Sequence, residues 1–248
     1  MLKGVSKLVL SLVLVPVAAA AQSVVPATGG NITITPIQHA SVQVEFGGKV
    51  IQVDPAQGDF KSAKPADLVL VTDIHGDHLN PADIAIVRKP GTPVVIPAAV
   101  KEQVGDKVPA PMEVMANGES KTIAGVPIEA VPMYNMQRGP AAGQFFHTKG
   151  RGNGYIVTLG GKRVYFAGDT ECTPEMKALK NIDVAFMPMN LPYTMPPSEA
   201  AECVKAFMPK IVIPYHYMGQ KPEEFEAAVK GSGIEVRILN WYPAAAAR

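Results

Sequence analysis

Aromatic residues are scarce, 6% of this 248-residue chain, and basic and acidic groups nearly cancel to a formal +1. The first argues against stacking platforms for single strands, and the second against the basic footprint of a duplex binder. No nucleic-acid partner is expected. Cysteine is limited to Cys172 and Cys203. The two either pair in an oxidising compartment or sit as small buried residues, since sequence does not place their Cα atoms. A serine nucleophile elbow is missing, because Ser41, Ser198 and Ser232 lack the Gly-x-Ser-x-Gly context. Gly150-Arg151-Gly152-Asn153-Gly154 is not followed by Gly-Lys-Ser/Thr, which argues against a nucleotide phosphate loop. Tandem repeats are absent as well. The apolar stretch over residues 8–21 is about 14 residues, too short to span a bilayer comfortably.

That stretch follows Lys3 and Lys7 and ends in Ala19-Ala20-Ala21 before Gln22. A charged lead, an apolar segment and an A-x-A site together describe an export signal. Residues 1–21 therefore read as a signal peptide and residues 22–248 as one mature domain, periplasmic or secreted. A retained anchor is the alternative. No cysteine lies near the cleavage point, so a lipoprotein is not expected, nor is stable membrane insertion after cleavage. Loss of Lys3 and Lys7 leaves the mature chain near neutral. With 47% hydrophobic and 18% charged residues, it can bury one substantial core but not clearly two.

Residues 24–31 read as a flexible lead. Alternation then predicts strands over 32–37 and 41–46, with Gly47-Gly48 turning into a further strand over 49–54. Leu68-Val69-Leu70-Val71 is continuously apolar, as a strand buried on both faces requires. Helices over 81–87 and 98–104 flank a strand at 92–96, and short strands follow near 113–115, 121–123 and 128–131. The second half repeats this plan. Strands at 155–159 and 163–167 flank Gly160-Gly161, and a short helix opens at Thr173-Pro174. A strand at 184–187, a helix capped by Ser198 and running to Phe207, a strand at 210–214, a helix at 222–229 and a strand at 235–239 complete it. Two such halves face to face predict an α/β fold: an αββα four-layer sandwich of two mixed β-sheets with helices outside.

What the chain does have is concentrated in one place. Asp73-Ile74-His75-Gly76-Asp77-His78 packs two His and two Asp into six residues just after the apolar run. A strand ending in a turn puts all four side chains in one small volume, as a metal site requires. Imidazole with carboxylate suits Zn²⁺ and tolerates Mn²⁺ or Fe²⁺. Asn80-Pro81 supplies an N-cap and a first helical residue, so the cluster lies on a strand-to-helix loop. His39, His147 and His216 also stand beside strand ends or glycine-rich loops, and Gly168-Asp169-Thr170 follows another apolar strand.

With these residues the chain resembles the metallo-β-lactamase superfamily over roughly residues 32–241. Finer features bring it nearest the L-ascorbate-6-phosphate lactonase-like hydrolases: Gln38-His39-Ala40, Val53-Asp54-Pro55, His147-Thr148-Lys149-Gly150, Pro174-Glu175-Met176, Tyr193-Thr194-Met195 and Pro214-Tyr215-His216. The resemblance implies two divalent metal ions, zinc first and manganese or iron as alternatives. Asp77, His78 and His216 would hold one, and Asp169 would bridge both. Asp73 and His75 would hold the other, completed by either His147 or Asn135. Asp73 departs from the family, because it replaces the first His of H-x-H-x-D-H and makes that site harder and more anionic.

Asp77 and His78 are the catalytic candidates that the resemblance implies. His39 is expected beside the metals or against substrate, and Tyr193 at the pocket mouth. Asp54 either orients a ligand His or caps a turn. Lys149 and Arg151 either bind a substrate phosphate or carboxylate or lie in a solvated loop. The implied reaction is hydrolysis of an ester, lactone or phosphoester of a small-molecule substrate by a hydroxide held between the metals. β-Lactam hydrolysis and a non-catalytic metal-binding module are the alternatives, and the oligomeric state is open.

Overall fold

The computed structural model describes residues 22–108 and 111–242, so the expected signal peptide lies outside the described residues. Short turns fold the start of the domain into antiparallel strands: β1 (Ser23–Ala27), β2 (Gly30–Gln38), β3 (Ser41–Phe46) and β4 (Lys49–Val53). Gly47 and Gly48, at φ 57° and 77°, close the β3–β4 hairpin in a conformation that glycine adopts without strain. The chain then switches to parallel pairing. β5 (Leu68–Leu70), β6 (Val94–Ile96) and β7 (Met112–Val114) extend the sheet, with α1 (Pro81–Val87) and α2 (Ala98–Val104) as crossovers.

The second half follows the same order. β8 (Ser120–Ile123), β9 (Val126–Met133), β10 (Gly152–Leu159) and β11 (Lys162–Phe166) are antiparallel. β12 (Val184–Pro188), β13 (Ile211–Tyr215) and β14 (Glu235–Val236) are parallel, preceded in turn by α3 (Pro174–Lys177), α4 (Pro197–Phe207) and α5 (Pro222–Val229). Each sheet has seven strands in sequential order.

Three expectations need correction. The lead over 24–31 is largely strand: Val25 pairs with Ile32 and is buried, and Pro26 is tolerated because β1 is an edge strand. α4 begins at Pro197 with Pro196 as cap residue, since the fixed φ of proline suits the first helical position, and Ser198 does not cap it. The last strand ends at Val236 instead of 239.

Burial explains the layering. In β5, Leu68 and Leu70 enter the core between the sheets while Val69 faces the helices. Val95 of β6 does the first, and Val94 and Ile96 the second. In the other sheet Val184 and Phe186 point to the central core and Ala185 and Met187 to the helix side. These strands are buried on both faces, so their sequences run apolar without alternation. The result is the four-layer αββα sandwich. Among the described residues no helix is long and apolar enough to cross a membrane.

Cys172, in the loop after β11, is bonded to Cys203 on α4, with Cα atoms 5.6 Å apart and the two residues 31 positions apart in sequence. The bond ties the loop that carries Asp169 to the outer helix layer. Closing a loop of that size is worth about 3 kcal/mol through the unfolded state. The variant Cys172→Ala/Cys203→Ala is therefore expected to lose about 3 kcal/mol of stability in urea unfolding with unchanged circular dichroism; an unchanged midpoint would refute this.

Candidate metal centre

The strand order delivers the polar loops to one edge. Asp54 follows β4, the 71–80 loop follows β5, Asp169 follows β11 and His216 follows β13. His39 sits in the β2–β3 turn, and the long β9–β10 connection brings Asn135, His147 and Arg151. The chain bends sharply to do this: His39, Asp54 and His216 have φ of 54°, 46° and 48°, a left-handed region costly for residues with a side chain. Gly168 has φ 68°, and a Cβ there would come 2.4 Å from the Met133 sulfur, so a larger residue would be strained and would have to displace Met133.

Two groups of side chains converge, each with ligating atoms within 4.8 Å of one another: Asp77, His78, Asp169 and His216, and Asp73, His75 and His147. In the first, Asp54 is wholly buried and its carboxylate accepts from the Thr72 amide at 2.7 Å, the Thr72 hydroxyl at 2.7 Å and His78 Nδ1 at 2.8 Å. Asp54 thus orients a ligand His, one of its two sequence readings. The His78 ring is turned so that Nε2 lies 3.2 Å from Asp169 Oδ2. His216 Nε2 lies 3.1 Å from Asp169 Oδ1 and 3.2 Å from Asp77 Oδ2.

Buried His78 Nε2 and Asp169 Oδ1 have no hydrogen-bond partner. Buried polar atoms are normally hydrogen-bonded, so these two, each with only an ionic neighbour at 3.2 or 3.1 Å, keep a coordination direction that a cation could use. Charge agrees. Burial pushes the His78 ring towards neutrality, but Asp169 and Asp54 override it and hold its pKa well above the ordinary value. Burial likewise pushes the Asp169 carboxyl up, but His216 and His78 hold it well below. The residues present fit a divalent metal with mixed imidazole and carboxylate ligands.

The second group is built similarly. Asn135 Oδ1 accepts from the His147 amide at 2.9 Å and from His147 Nδ1 at 2.5 Å. His147 Nε2 is thereby aimed at His75 Nδ1, 3.3 Å away, and at Asp169 Oδ2, 3.1 Å away. The Asn135 amide nitrogen donates to Glu171 and to the Tyr193 carbonyl, so Asn135 stands behind His147 and leaves the ligating position to it. Asp73 Oδ2 lies 3.0 Å from His75 Nδ1 and 4.0 Å from His147 Nε2. Burial raises the Asp73 carboxyl, but the His75 contact and the Arg151 charge outweigh it and lower it.

A cavity of about 310 Å³ opens on both groups, lined by His75, Asp77, Phe146, His147, Asp169, Tyr193 and His216. Tyr193 is thus at the mouth as expected, its ring edge-on to Phe146 with centroids 5.0 Å apart. The three other candidates for substrate contact each have a partner within the protein. His39 is only 3% exposed, its ring tilted against that of His216 with centroids 3.8 Å apart and hydrogen-bonded to Tyr242 Oη at 2.6 Å, so it takes the first of its two expected places, beside the candidate ligands. Lys149 is drawn to Glu175 at 2.6 Å over the Tyr134 ring. Arg151 grips Asp73. In each case an opposite charge or a packed ring supplies a partner that the loop composition did not reveal.

Glu171 and Phe146 were missed in the sequence. The Glu171 side chain accepts from the amides of Met136, Gln137 and Arg138 and from Asn135 Nδ2, and it pairs with Arg138. It clamps the loop that carries Asn135. Its place directly after Asp169-Thr170 was the only signal, because its partners lie more than 30 residues away. Glu171→Ala leaves three loop amides without that acceptor and is expected to cost about 3 kcal/mol. Thermal unfolding checks this, and wild-type stability would contradict it.

Comparisons with known proteins agree with this geometry. A beta-lactamase superfamily domain matches residues 33–216. A UPF0173 metal-dependent hydrolase of Thermococcus kodakarensis is 37% identical over 216 residues, covering 81% of this chain and 93% of that protein. Its counterpart in Methanopyrus kandleri is 32% identical over 220 residues, covering 83% and 95%. The crystal structure of a metal-dependent hydrolase from Parabacteroides distasonis superposes with TM-score 0.82 at 42% identity, covering 89% of this chain and 99% of that one. Igni18, a metallo hydrolase of Ignicoccus hospitalis, gives TM-score 0.69 at 25% identity, covering 84% and 94%. With its fold, its paired His and Asp groups and these relatives, the chain belongs to the metallo-β-lactamase superfamily and is one of its metal-dependent hydrolases.

Proposed function

We propose that the protein is an exported hydrolase that holds two divalent metal ions, zinc first, and cleaves a carbonyl ester or lactone of a small molecule. The observation that carries the reading is the convergence of two His/Asp groups on one cavity, with buried His78 Nε2 and Asp169 Oδ1 making no hydrogen bond of their own behind it. Asp77, His78, His216 and Asp169 would hold one ion, and Asp73, His75 and His147 the other, with Asp169 between them. Bound cations of this kind acidify water and polarise the bond under attack.

The chain's own residues do the rest. Asp54 and Asn135 hold the His78 and His147 rings through Nδ1, which keeps both Nε2 atoms free to ligate. Asp77 lines the cavity with Oδ2 3.3 Å from His39 Nε2, and His39 Nδ1 continues to Tyr242 Oη. That chain is placed to carry a proton away from or back to the reacting group. Phe146 and Tyr193 offer an apolar clamp for the substrate.

Charge selects the substrate class. Among the described residues no lysine or arginine lines the cavity, and Lys149, Arg151 and Arg138 are each paired with an acid. A phosphorylated substrate would find no free basic side chain, whereas a neutral acyl group with an apolar substituent meets aromatic rings. The likeness to ascorbate-phosphate lactonases is therefore taken for its lactone chemistry, without its phosphate. Export is supported by the leader pattern of residues 1–21 and by the Cys172–Cys203 bond, which suits an oxidising compartment.

Metal analysis of the mature protein, beside turnover of neutral aryl esters, lactones, phosphodiesters and β-lactams, tests this. Esters or lactones are expected to turn over fastest. A preference for phosphodiesters or β-lactams would overturn the substrate class, and one inert metal equivalent would favour a binding module. His78→Ala and Asp169→Ala are expected to lose metal and turnover together. Asp54→Asn is expected to weaken metal binding by about 10- to 100-fold with the fold intact, as loss of a supporting partner does. Full activity and metal content in His78→Ala would refute the site.

A further inference from the structure

The two halves of the site differ in charge. Around His78 and His216 lie the carboxylates of Asp54, Asp77 and Asp169, whose contacts are imidazoles and Thr72 and never a lysine or arginine. Around His75 and His147 the added carboxylate is Asp73, and it is already neutralised. Arg151 Nε donates to Asp73 Oδ1 at 3.1 Å and Nη2 to Oδ2 at 2.8 Å, a two-pronged grip. Its third nitrogen, Nη1, donates to the Phe146 carbonyl at 2.8 Å, so the guanidinium is fixed on every side.

The backbone is shaped for this contact. Gly150 turns at φ 87°, with the Arg151 amide bonded to the Thr148 carbonyl at 3.1 Å. Gly152 lets the loop press against the cluster: a Cβ there would lie 2.9 Å from the Thr72 carbonyl and 3.2 Å from Asp73 Oδ1. Asp73 is wholly buried and the Arg151 side chain is 17% exposed, so water screens the pair poorly.

We propose that Arg151 sets the metal stoichiometry of the site. By occupying both oxygens of Asp73 it makes the Asp73–His75–His147 pocket a weak, exchangeable cation site, while the Asp77–His78–His216 pocket with Asp169 binds firmly. The inference rests on the metal-site reading above. A carboxylate oxygen that already accepts a charged hydrogen bond is a poorer ligand, and a cation reaching it approaches a fixed positive charge. The Asp73–Arg151 pair keeps the net charge of a neutral histidine at that position without its donor strength. Lysine could not do the same, because it lacks the planar fork.

The experiment is zinc retention against a graded chelator series, read by elemental analysis on the wild type and three variants, with circular dichroism to confirm folding. Wild type is expected to keep one zinc per chain where the second has left. Arg151→Gln should tighten the second zinc by about tenfold or more, the scale on which supporting residues act on metals. Asp73→His alone leaves Arg151 unpaired beside the pocket and should weaken the second zinc further. Asp73→His/Arg151→Gln removes the buried charge pair altogether and should hold two. If both zincs leave the wild type together, or if Arg151→Gln loosens the second, the proposal is wrong. If the wild type keeps no zinc at all and behaves like Asp169→Ala, the metal-site reading fails with it.

Discussion

Asp169 is the point on which the site depends. It is 2% exposed and lies within 3.2 Å of ring nitrogens from His78, His147 and His216. Those three rings come from the loop after β5, the β9–β10 connection and the end of β13. A buried carboxylate is stable only with positive charge or donors around it. Every element at this edge is therefore bound to one requirement, that cationic charge sit among these rings. Asp169 and Asp54 hold the His78 pKa above its ordinary value against the pull of burial, and a divalent cation would supply the positive charge more strongly.

The surrounding network follows from that requirement. A ring that is to offer Nε2 must have Nδ1 held, and Asp54 and Asn135 do this on opposite sides. Asp54 in turn is held by Thr72, and Asn135 by Glu171, so each ligand is braced by a further buried group. The disulfide at Cys172 and the Glu171 clamp both lie within three residues of Asp169 along the chain, which ties its carboxylate to the outer helices and to the 135–138 loop. Burial is concentrated where the candidate ligands are, while the cavity mouth carries the half-exposed Tyr193.

Much of this was legible in the residues. Apolar runs such as Leu68-Val69-Leu70 announced doubly buried strands, because a strand covered on both faces has no polar side to show. The lead before Asn31 was misread because Pro26 and nearby glycines look like coil until an adjacent β2 is there to pair with. Ligand-type residues stood out because His and Asp clustered at strand ends. The residues that brace or neutralise them did not. Arg151 and Asp73 are 78 residues apart, and Lys149 and Glu175 are 26 apart, so loop composition alone made both cations look available to substrate.

The sequence by itself determined the layer plan and the chemical type of the site. Hydrophobic period, turn residues and the local His-Asp cluster are short-range properties, and each acts within a few residues of where it is written. Only the tertiary structure decided which nitrogen of each ring faces the cavity, that Asn135 supports His147, that Cys172 meets Cys203, and that Arg151 is consumed by Asp73. Those outcomes depend on two sheets packing face to face, which brings their loops together at one edge. Partner choice among buried charges is set by whichever groups the packed strands bring within about 3 Å, where burial makes an unpaired charge too costly to keep.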